Sequence, residues 1–151
     1  MNLPIRPRVL ICDDDPDIRT VVGLNLGLVG MEFGEASDGE EALAALEAGW
    51  DALVLDLMMP GRDGFDVLRS LKEHEVKGLA IVVLSARSSP HTAHQALELG
   101  AHAHVTKPFS PLALSQLLTE LIDLDDEQRE SFRAEALTRA SRFERMGIPT
   151  I

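Results

Sequence analysis

The chain has 151 residues, which is the size of one domain with at most an appendage. Its formal net charge is −11, which disfavours nonspecific binding to nucleic acid or to an anionic membrane, because both rely on a basic surface. Hydrophobic residues form 45% of the chain, but only five Phe and one Trp are aromatic, so we expect an aliphatic core.

Short apolar runs alternate with longer segments of helical periodicity, a pattern typical of βα units around a parallel sheet. Strands are predicted near residues 8–12, 31–35, 52–56, 80–84 and 102–105, and helices near 16–29, 38–48, 64–74, 90–99 and 110–123. Two of these helices begin with a capping residue followed by proline, at Asp15–Pro16 and Ser110–Pro111. The sequence therefore predicts an α/β domain.

A sixth helix, amphipathic in pattern, is predicted near residues 126–146. Its apolar side recurs at helical spacing in Phe132, Ala136, Ala140 and Phe143. Gly147 and Pro149 follow as end signals, and we divide the chain into a domain of residues 1–124 and a helical extension of residues 125–151. The helix can fold back on its own domain, pair with another protomer, or begin a signalling linker of a longer protein.

Cys12 is the only cysteine, which excludes an internal disulfide, and its position in a predicted strand favours a buried, inert thiol. No apolar run reaches the roughly 18 residues needed to span a bilayer. Residues 1–8 contain no apolar stretch of signal-peptide length. We therefore expect a cytoplasmic protein.

Polar side chains stand where four of the predicted strands end. They are Asp13, Asp14 and Asp15 after the first strand, Asp56 at the end of the third, Ser85 after the fourth and Lys107 after the fifth. Parallel strands end at one edge of the sheet, and open α/β sheets bind their ligands outside that edge. Two carboxylates about 4 Å apart repel by roughly 4 kcal/mol at an effective dielectric constant of about 20. A cation is therefore expected among them, and all-oxygen ligands favour Mg²⁺.

Four segments at these strand ends resemble the receiver domain of two-component response regulators. The matching segments are residues 9–19, 56–65, 83–86 and 100–109. Each segment is weak alone, but the four occur in the right order and strand context across residues 8–123. The resemblance implies a doubly wound, five-stranded parallel sheet of flavodoxin-like order 2-1-3-4-5, followed here by an extra C-terminal helix.

The resemblance implies that Asp56 is the phosphoacceptor, a nucleophile that takes a phosphoryl group from a histidine kinase or a phosphotransfer protein. Asp13 and Asp14 correspond to the Mg²⁺ ligands of the family, together with Asp56 itself and the backbone carbonyl of Met58. Lys107 corresponds to the lysine that pairs with the phosphoryl oxygens as a mobile point charge.

Ser85 and His104 occupy the two switch positions of the family. Ser85 is expected to swing toward the phosphoryl group and donate a hydrogen bond. His104 stands where relatives have Tyr or Phe, and imidazole is smaller and titrates near neutral pH. We expect His104 to turn inward on phosphorylation and to bias a surface made by helix 4, strand 5 and helix 5.

Met58 and Arg87 occupy positions that border the phosphoryl group in relatives. The thioether of Met58 cannot orient a hydrolytic water as an amide could, and Arg87 can shield the site or pair with an acid. We therefore predict slow self-dephosphorylation. Pro60 and Gly64 are expected to shape the loop after the acceptor, with Gly64 free to adopt a positive φ.

The histidines offer a second candidate metal cluster, formed by His91, His94, His102 and His104. His91 and His94 share one face of a predicted helix, and His102 and His104 share one face of a predicted strand. No cysteine or correctly spaced ligand joins them. Ordinary histidines are the favoured interpretation, and Mg²⁺ is the one cofactor that we predict.

The resemblance therefore implies a phosphoacceptor with Mg²⁺-dependent self-phosphorylation and self-dephosphorylation, and not an enzyme with a separate substrate. A phosphatase of the haloacid dehalogenase type also uses a strand-end Asp and Mg²⁺, but it has a second acid where this chain has Met58. The expected partners are a sensor histidine kinase or histidine phosphotransfer protein and a downstream protein, with homodimerisation on phosphorylation as a further option. No direct contact with nucleic acid or membrane is expected. The alternatives are a receiver-like binding module that is not phosphorylated, and a receiver fragment of a larger multidomain regulator.

Overall fold

The computed structural model of the chain describes residues 5–86 and 90–146. The predictions for Arg87, for the side chain of Phe143, and for Gly147 and Pro149 lie outside the described residues. The strands are β1 Arg8–Cys12, β2 Glu32–Ala36, β3 Ala52–Asp56, β4 Ala80–Ser85 and β5 Ala103–Thr106. The helices are α1 Pro16–Leu28, α2 Gly39–Leu46, α3 Gly64–Glu73, α4 Pro90–Glu98, α5 Pro111–Asp123 and α6 Asp126–Met146.

The five strands form one parallel sheet in the order β2-β1-β3-β4-β5, which confirms the predicted α/β fold with its extra C-terminal helix. The predicted bounds of the elements differ from the observed ones by no more than two residues. The capping predictions also hold, since Asp15 accepts from the amide of Asp17 and Ser110 accepts from the amide of Ala113. Such caps satisfy amides that the first helical turn leaves without partners.

Side chains of the central strands alternate between two cores, one on each face of the sheet. Leu53 and Leu55 of β3 lie in the core covered by α2, α3, α4 and α6. Ala52 and Val54 lie in the core covered by α1 and α5. All four are fully buried, so β3 is a continuous apolar run, as expected of a central parallel strand. The end of this strand carries Asp56 out to the edge of the sheet.

Cys12 is buried at the end of β1, as predicted, and its Sγ lies 3.4 Å from the carbonyl oxygen of Asp38. Burial and the neighbouring acidic charges raise the pKa of the Cys12 thiol from 9.0 to about 12. The thiolate is therefore scarcely populated at neutral pH, which makes this thiol unreactive. In the described ranges, none of the helices combines the length and apolar character that crossing a bilayer requires.

The helix α6 folds back on its own domain and packs along α4. Ala140 of α6 is 2% exposed and lies in the same core as Ala93 and Ala96 of α4. Arg133 donates from Nη1 to the carbonyl oxygen of Leu97 at 2.8 Å, near the C-terminal end of α4. Of the three alternatives for this helix, the structure therefore shows the first.

The start of α6 is fixed to the end of α5 by Arg129. Its guanidinium group is buried and donates to the carbonyl oxygens of Leu121, at 3.0 Å, and of Leu124. Leu121 lies in the last turn of α5 and Leu124 is its C-cap, so Arg129 supplies a donor at the helix end, where carbonyls run short of amide partners. The boundary between residues 1–124 and 125–151 stays a prediction.

Candidate functional site

Acidic and basic side chains converge at the edge where the strands end. One carboxylate oxygen from each of Asp13, Asp14 and Asp56 lies within 4.8 Å of the others. Asp13 is 0% exposed and Asp56 is 3% exposed, whereas Asp14 is exposed. The cluster therefore has two buried carboxylates and a third that faces solvent. Lys107 lies against the two buried ones.

The turn after β1 fixes Asp13 through its backbone and its side chain. The amide of Asp13 donates to the carbonyl oxygen of Ala36 on β2 at 3.1 Å. The Oδ1 atom of Asp13 accepts from the amide of Asp15 at 2.9 Å. Asp15 itself serves as the cap of α1, so its carboxylate is used structurally. Of the three consecutive acids, Asp13 and Asp14 are the two that join Asp56.

Lys107 bridges the two buried carboxylates. Its Nζ lies 2.9 Å from Oδ2 of Asp13 and 3.4 Å from Oδ2 of Asp56. Its amide donates to the carbonyl oxygen of Ser85 at 2.7 Å, which ties the ends of β4 and β5 together. A cis peptide bond joins Lys107 to Pro108. The site thus combines three carboxylates with one ammonium group, which contacts two of them, and it keeps an excess of negative charge.

The carboxyl group of Asp56 is electrostatically perturbed. Burial raises the pKa of Asp56 from 3.8 to about 6, and the neighbouring charge of Asp13 acts in the same direction. The amide of Met58, which donates to Oδ1 at 3.1 Å, and the ammonium group of Lys107 oppose this rise by favouring the charged form. Asp56 is therefore mostly ionised at neutral pH, but at a cost in free energy that a cation would reduce.

The pKa of Lys107 is raised, although burial works to lower it. The hydrogen bond to Asp13 and the negative charges of Asp56 and Asp13 outweigh the burial. Lys107 is therefore a permanent cation at neutral pH. It can neutralise negative charge in the site without first taking up a proton.

Two glycines shape the loop after Asp56, for different reasons. Gly61 has a φ of 72°, a conformation that residues with a side chain rarely adopt. The predicted positive φ at Gly64 was wrong, because Gly64 is the first residue of α3. A Cβ atom on Gly64 would lie 2.5 Å from the carbonyl oxygen of Asp56 and 2.7 Å from the Cα of Leu57. Glycine is needed there for the close approach of α3 to the end of β3.

Ser85 and His104 lie on the strand pair β4–β5 beside the cluster. Ser85 ends β4 with 1% exposure. Both ring nitrogens of His104 are buried, and within residues 5–86 and 90–146 no group hydrogen-bonds to them. Burial lowers the pKa of His104, so its ring is neutral at pH 7. The inward turn of His104 on phosphorylation stays a prediction.

The three carboxylates fit a hard divalent cation. They offer oxygen donors alone, and the exposure of Asp14 leaves one side open to the waters that Mg²⁺ usually keeps. No other group of three or more His, Cys, Asp or Glu residues in the described ranges brings its ligand atoms this close. The structure brings Asp13, Asp14, Asp56 and Lys107 together as the sequence predicted, with Ser85 at the neighbouring strand end.

Arg19 also contributes to the site, although the sequence predicted no role for it. Its Nη1 donates to the carbonyl oxygen of Asp13 at 2.7 Å, and its Nε pairs with Oε1 of Glu35 at 3.1 Å. An arginine in the first turn after an acidic loop was the available signal. The partner Glu35 could not be identified without the packing of α1 against β2.

Comparison with known proteins places this geometry in a family. Residues 9–119 match the response regulator receiver domain family. The transcriptional regulatory protein ResD of Bacillus subtilis is 38% identical over 105 residues, which are 69% of this chain and 43% of ResD. The DNA-binding response regulator MtrA of Mycolicibacterium smegmatis is 36% identical over 128 residues, which are 83% of this chain and 55% of MtrA. The chain spans about half the length of these curated relatives.

Solved receiver domains share the fold. The receiver domain of the Francisella response regulator 1452 superposes with a TM-score of 0.74 and 31% identity, covering 78% of this chain and 97% of that one. The chemotaxis protein CheY4 of Vibrio cholerae gives a TM-score of 0.72 and 30% identity, covering 78% of this chain and 99% of that one. Because the family matches most of the sequence and its members share the sheet described above, the chain belongs to the response regulator receiver domain family.

Proposed function

We propose that this receiver domain takes a phosphoryl group on Asp56 from a sensor histidine kinase or a histidine phosphotransfer protein, in a Mg²⁺-dependent reaction. The observation that carries the proposal is the setting of Asp56, a buried carboxylate at a strand end beside two further acids and Lys107. Membership of the receiver family supports it. An isolated buried carboxylate without a cationic partner would have no such use.

The two oxygen atoms of Asp56 have different surroundings. Oδ1 accepts from the amide of Met58 at 3.1 Å, and Oδ2 lies 3.4 Å from Nζ of Lys107. In the proposed step a carboxylate oxygen forms a bond to phosphorus while the nitrogen–phosphorus bond of the donor histidine breaks. The freed imidazole nitrogen keeps the electron pair and takes up a proton. The pKa of about 6 leaves most Asp56 carboxyl groups ionised, and therefore nucleophilic, at pH 7.

Phosphoryl transfer relies mainly on positioning and on neutralisation of charge. When bound, Mg²⁺ supplies positive charge to the phosphoryl oxygens. Asp13, Asp14 and Asp56, with the backbone carbonyl of Met58, would hold it. Lys107 would shift its ammonium group from Asp56 to a phosphoryl oxygen while keeping its shorter contact with Asp13. The hydroxyl group of Ser85 would donate a hydrogen bond to another phosphoryl oxygen.

Phosphorylation would replace a charge of −1 by one of about −2 with three acceptor oxygens. Ser85 and Lys107 stand at the ends of β4 and β5, so a change at their side chains would reach α4 and, through it, α6. We propose that the domain signals by phosphorylation-dependent contact with a downstream protein, homodimerisation included. The proposal includes no direct contact with nucleic acid or membrane, and no catalysis on a separate substrate. The proposed location is the cytoplasm.

The test is the intact mass of the chain after incubation with Mg²⁺ and a small phosphodonor such as acetyl phosphate. The wild-type chain should gain one phosphoryl group, and Asp56→Asn should gain none. Chelation of Mg²⁺ should abolish the gain. Asp51→Asn is a suitable control, because Asp51 is an exposed acid that accepts from the amide of Arg8 at the far end of the sheet.

No mass gain in the wild-type chain, with small donors and with a kinase-rich cell extract, would contradict the proposal. The chain would then be a receiver-like binding module whose acidic cluster is not phosphorylated. A receiver fragment of a larger regulator remains compatible with phosphorylation, because the chain spans about half of ResD and MtrA. The mass measurement therefore distinguishes the proposal from the unphosphorylated binding module. A receiver fragment of a larger regulator would be phosphorylated in the same way.

A further inference from the structure

Arg19 reaches from the first turn of α1 back to the end of β1. Its backbone amide donates to the carbonyl oxygen of Asp15 at 3.2 Å, which is the regular bond of the new helix. Its side chain turns toward the sheet and is 17% exposed. There it donates from Nη1 to the carbonyl oxygen of Asp13 at 2.7 Å. A charged group thus holds a backbone oxygen at the base of the acidic cluster.

Every polar atom of Asp13 has a hydrogen-bond partner among the described residues, and the partner of its carbonyl oxygen is Arg19. The amide donates to Ala36, Oδ1 accepts from Asp15, and Oδ2 pairs with Lys107. The carbonyl oxygen belongs to the planar peptide group whose nitrogen is the amide of Asp14. Holding this oxygen therefore sets the direction in which the chain continues into Asp14, the exposed member of the cluster.

Glu35 holds the guanidinium group in the orientation that this bond needs. Oε1 of Glu35 lies 3.1 Å from Nε of Arg19, on the side of the fork away from Nη1. The pairing of Ile11 with Glu35 in the sheet places this acid beside the end of β1. A planar fork can donate in two fixed directions at once, which the single ammonium group of lysine does less well.

We propose that Arg19, oriented by Glu35, is a positioning residue for the metal site formed by Asp13, Asp14 and Asp56. This inference rests on the proposed function. Arg19 would touch neither the cation nor the phosphoryl group, and it would act by fixing the peptide group between Asp13 and Asp14. Loss of partners that orient metal ligands typically weakens metal affinity by about 10- to 100-fold.

The experiment measures Mg²⁺ binding to the full chain by calorimetry, together with the Mg²⁺ dependence of phosphoryl uptake from acetyl phosphate. The variants are Arg19→Met, Arg19→Lys and Glu35→Gln, and thermal unfolding in chelator checks that each is folded. Arg139→Met is the matched control, because Arg139 is exposed on α6 and its loss removes the same charge.

Arg19→Met should weaken Mg²⁺ binding by about tenfold, near the lower end of the range for orienting partners, because the bond to the Asp13 carbonyl is lost outright. Glu35→Gln should weaken it by only about threefold, since Arg19 keeps that bond, and Arg19→Lys should lie between the two. The rate of uptake at saturating Mg²⁺ should stay close to that of the wild-type chain. In the Arg19→Met background Glu35→Gln should have no further effect, because the two residues act as a unit.

Unchanged Mg²⁺ affinity in folded Arg19→Met or Glu35→Gln would overturn the inference while leaving the proposed function intact. So would a loss of rate that saturating Mg²⁺ does not restore, because that loss indicates a general structural defect. An additive effect of the two substitutions would overturn the claim that Glu35 acts through Arg19. A wild-type chain that neither binds Mg²⁺ nor takes up a phosphoryl group would overturn the proposed function and this inference with it.

Discussion

Lys107 is bonded more closely to Asp13 than to Asp56, with Nζ 2.9 Å from one carboxylate and 3.4 Å from the other. The closer pair joins residues 94 positions apart, so it depends on the neighbouring ends of the parallel strands. Asp13 is fully buried and anchors the ammonium group, which leaves Lys107 free to exchange its weaker contact. The lysine therefore already lies where charge would develop on a phosphorylated Asp56.

Replacing Lys107 by Met should raise the pKa of Asp56 above its present value of about 6, because Lys107 favours the ionised form. An opposite charge at this distance typically lowers a carboxyl pKa by about one unit or more. In the presence of chelator, the pH midpoint of the Asp56 carboxyl titration should therefore move upward by about one unit. The measurement is the carbon-13 chemical shift of the Asp56 carboxyl carbon, followed by NMR across the titration.

Lys72→Met is the matched control for this shift. Lys72 lies in the last turn of α3, at the end away from the acidic cluster. Its ammonium group donates to the carbonyl oxygen of Glu98, the last residue of α4. Its replacement should leave the pH midpoint unchanged. An identical midpoint in Lys107→Met and in the wild-type chain would contradict the assigned electrostatic role of Lys107.

The raised pKa of Asp56 predicts a pH-dependent gain in stability on substitution by Asn. The folded state binds the proton more tightly than the unfolded state, whose pKa is 3.8, so the contribution of Asp56 is present below pH 3.8 and lost as the pH rises through about 6. Asp56→Asn should therefore increase the free energy of unfolding at pH 7.5 by about 3 kcal/mol, the equivalent of the rise in pKa from 3.8 to about 6. The gain should shrink as the pH falls through 6 and vanish near pH 4.

Urea unfolding in the presence of chelator measures this difference across the pH range. Asp123→Asn, a substitution at an exposed position on α5, should change stability little at every pH. A destabilised Asp56→Asn chain at pH 7.5 would show that the ion pair with Lys107 outweighs the burial of the charge. That result would remove the physical basis for a raised pKa of Asp56.

Met58 predicts a long-lived phosphoryl group. Its side chain is 58% exposed next to the acceptor, and a thioether gives an attacking water no strong hydrogen bond. Met58→Asn should accelerate phosphate release from the phosphorylated chain on the order of tenfold, because an amide can position the water. The measurement is phosphate release after removal of the donor.

A second exposed methionine supplies the control for this substitution. Met146 is 61% exposed at the end of α6, so Met146→Asn should leave the lifetime of the phosphoryl group unchanged. A wild-type lifetime of seconds would contradict slow self-dephosphorylation. Equal lifetimes for Met58→Asn and the wild-type chain would show that water at this position does not limit hydrolysis.

The packing of α6 on α4 predicts opposite outcomes for two substitutions on the same helix. Ala140 is buried in the core beside Ala93 and Ala96, and Ala134 is exposed. Ala140→Glu should lower the free energy of unfolding by about 2–4 kcal/mol, because it would bury an unpaired carboxylate or expel the helix. Ala134→Glu should change it by less than about 0.5 kcal/mol.

Urea unfolding of the two variants tests this contrast, and hydrogen exchange of the α6 amides locates the effect. Ala140→Glu should speed exchange along α6 while leaving the central strands protected. Equal stability of the two variants would contradict the docked position of α6. Faster exchange throughout the sheet in Ala140→Glu would show that α6 is inseparable from the domain.

The sheet and the position of the acidic cluster followed from the sequence, because strand ends and polar residues coincide. A buried strand such as β3 needs a continuous apolar run, and the first polar residue after that run marks its end. Asp56 is such a residue, as is Asp13 after β1. Since parallel strands end at one edge, the meeting of these carboxylates required only the correct fold class.

The direction of α6 could not be predicted in this way. Its stripe of Phe132, Ala136 and Ala140 suits any apolar partner, and periodicity does not identify the partner. The helix is oriented by two of its own arginines, which donate to backbone carbonyls of other helices. Arg129 donates to a carbonyl near the end of α5, and Arg133 donates to one near the end of α4. Such contacts depend on the positions of the C-terminal ends of α5 and α4. A local sequence pattern in α6 carries no information about those positions.

The roles of Gly64 and Arg19 were missed for a related reason. Glycine is required at position 64 because the start of α3 lies too close to the end of β3 for a Cβ atom. From the sequence, a glycine in a loop suggested a positive φ instead, which was the wrong explanation. Arg19 acts through Glu35, a residue of β2 that becomes its neighbour only when the strands pair. Both cases depend on contacts between elements, and the sequence indicates the elements more clearly than their contacts.

The most direct test of the central claim is to identify the residue that carries the phosphoryl group. Borohydride reduction of an aspartyl phosphate converts that side chain to homoserine, which peptide mapping by mass spectrometry can locate. After incubation with Mg²⁺ and acetyl phosphate, homoserine is predicted at position 56 and at no other aspartate. Homoserine at Asp13 or Asp14, or none in a chain that is folded and saturated with Mg²⁺, would contradict the assignment of Asp56 as the phosphoacceptor.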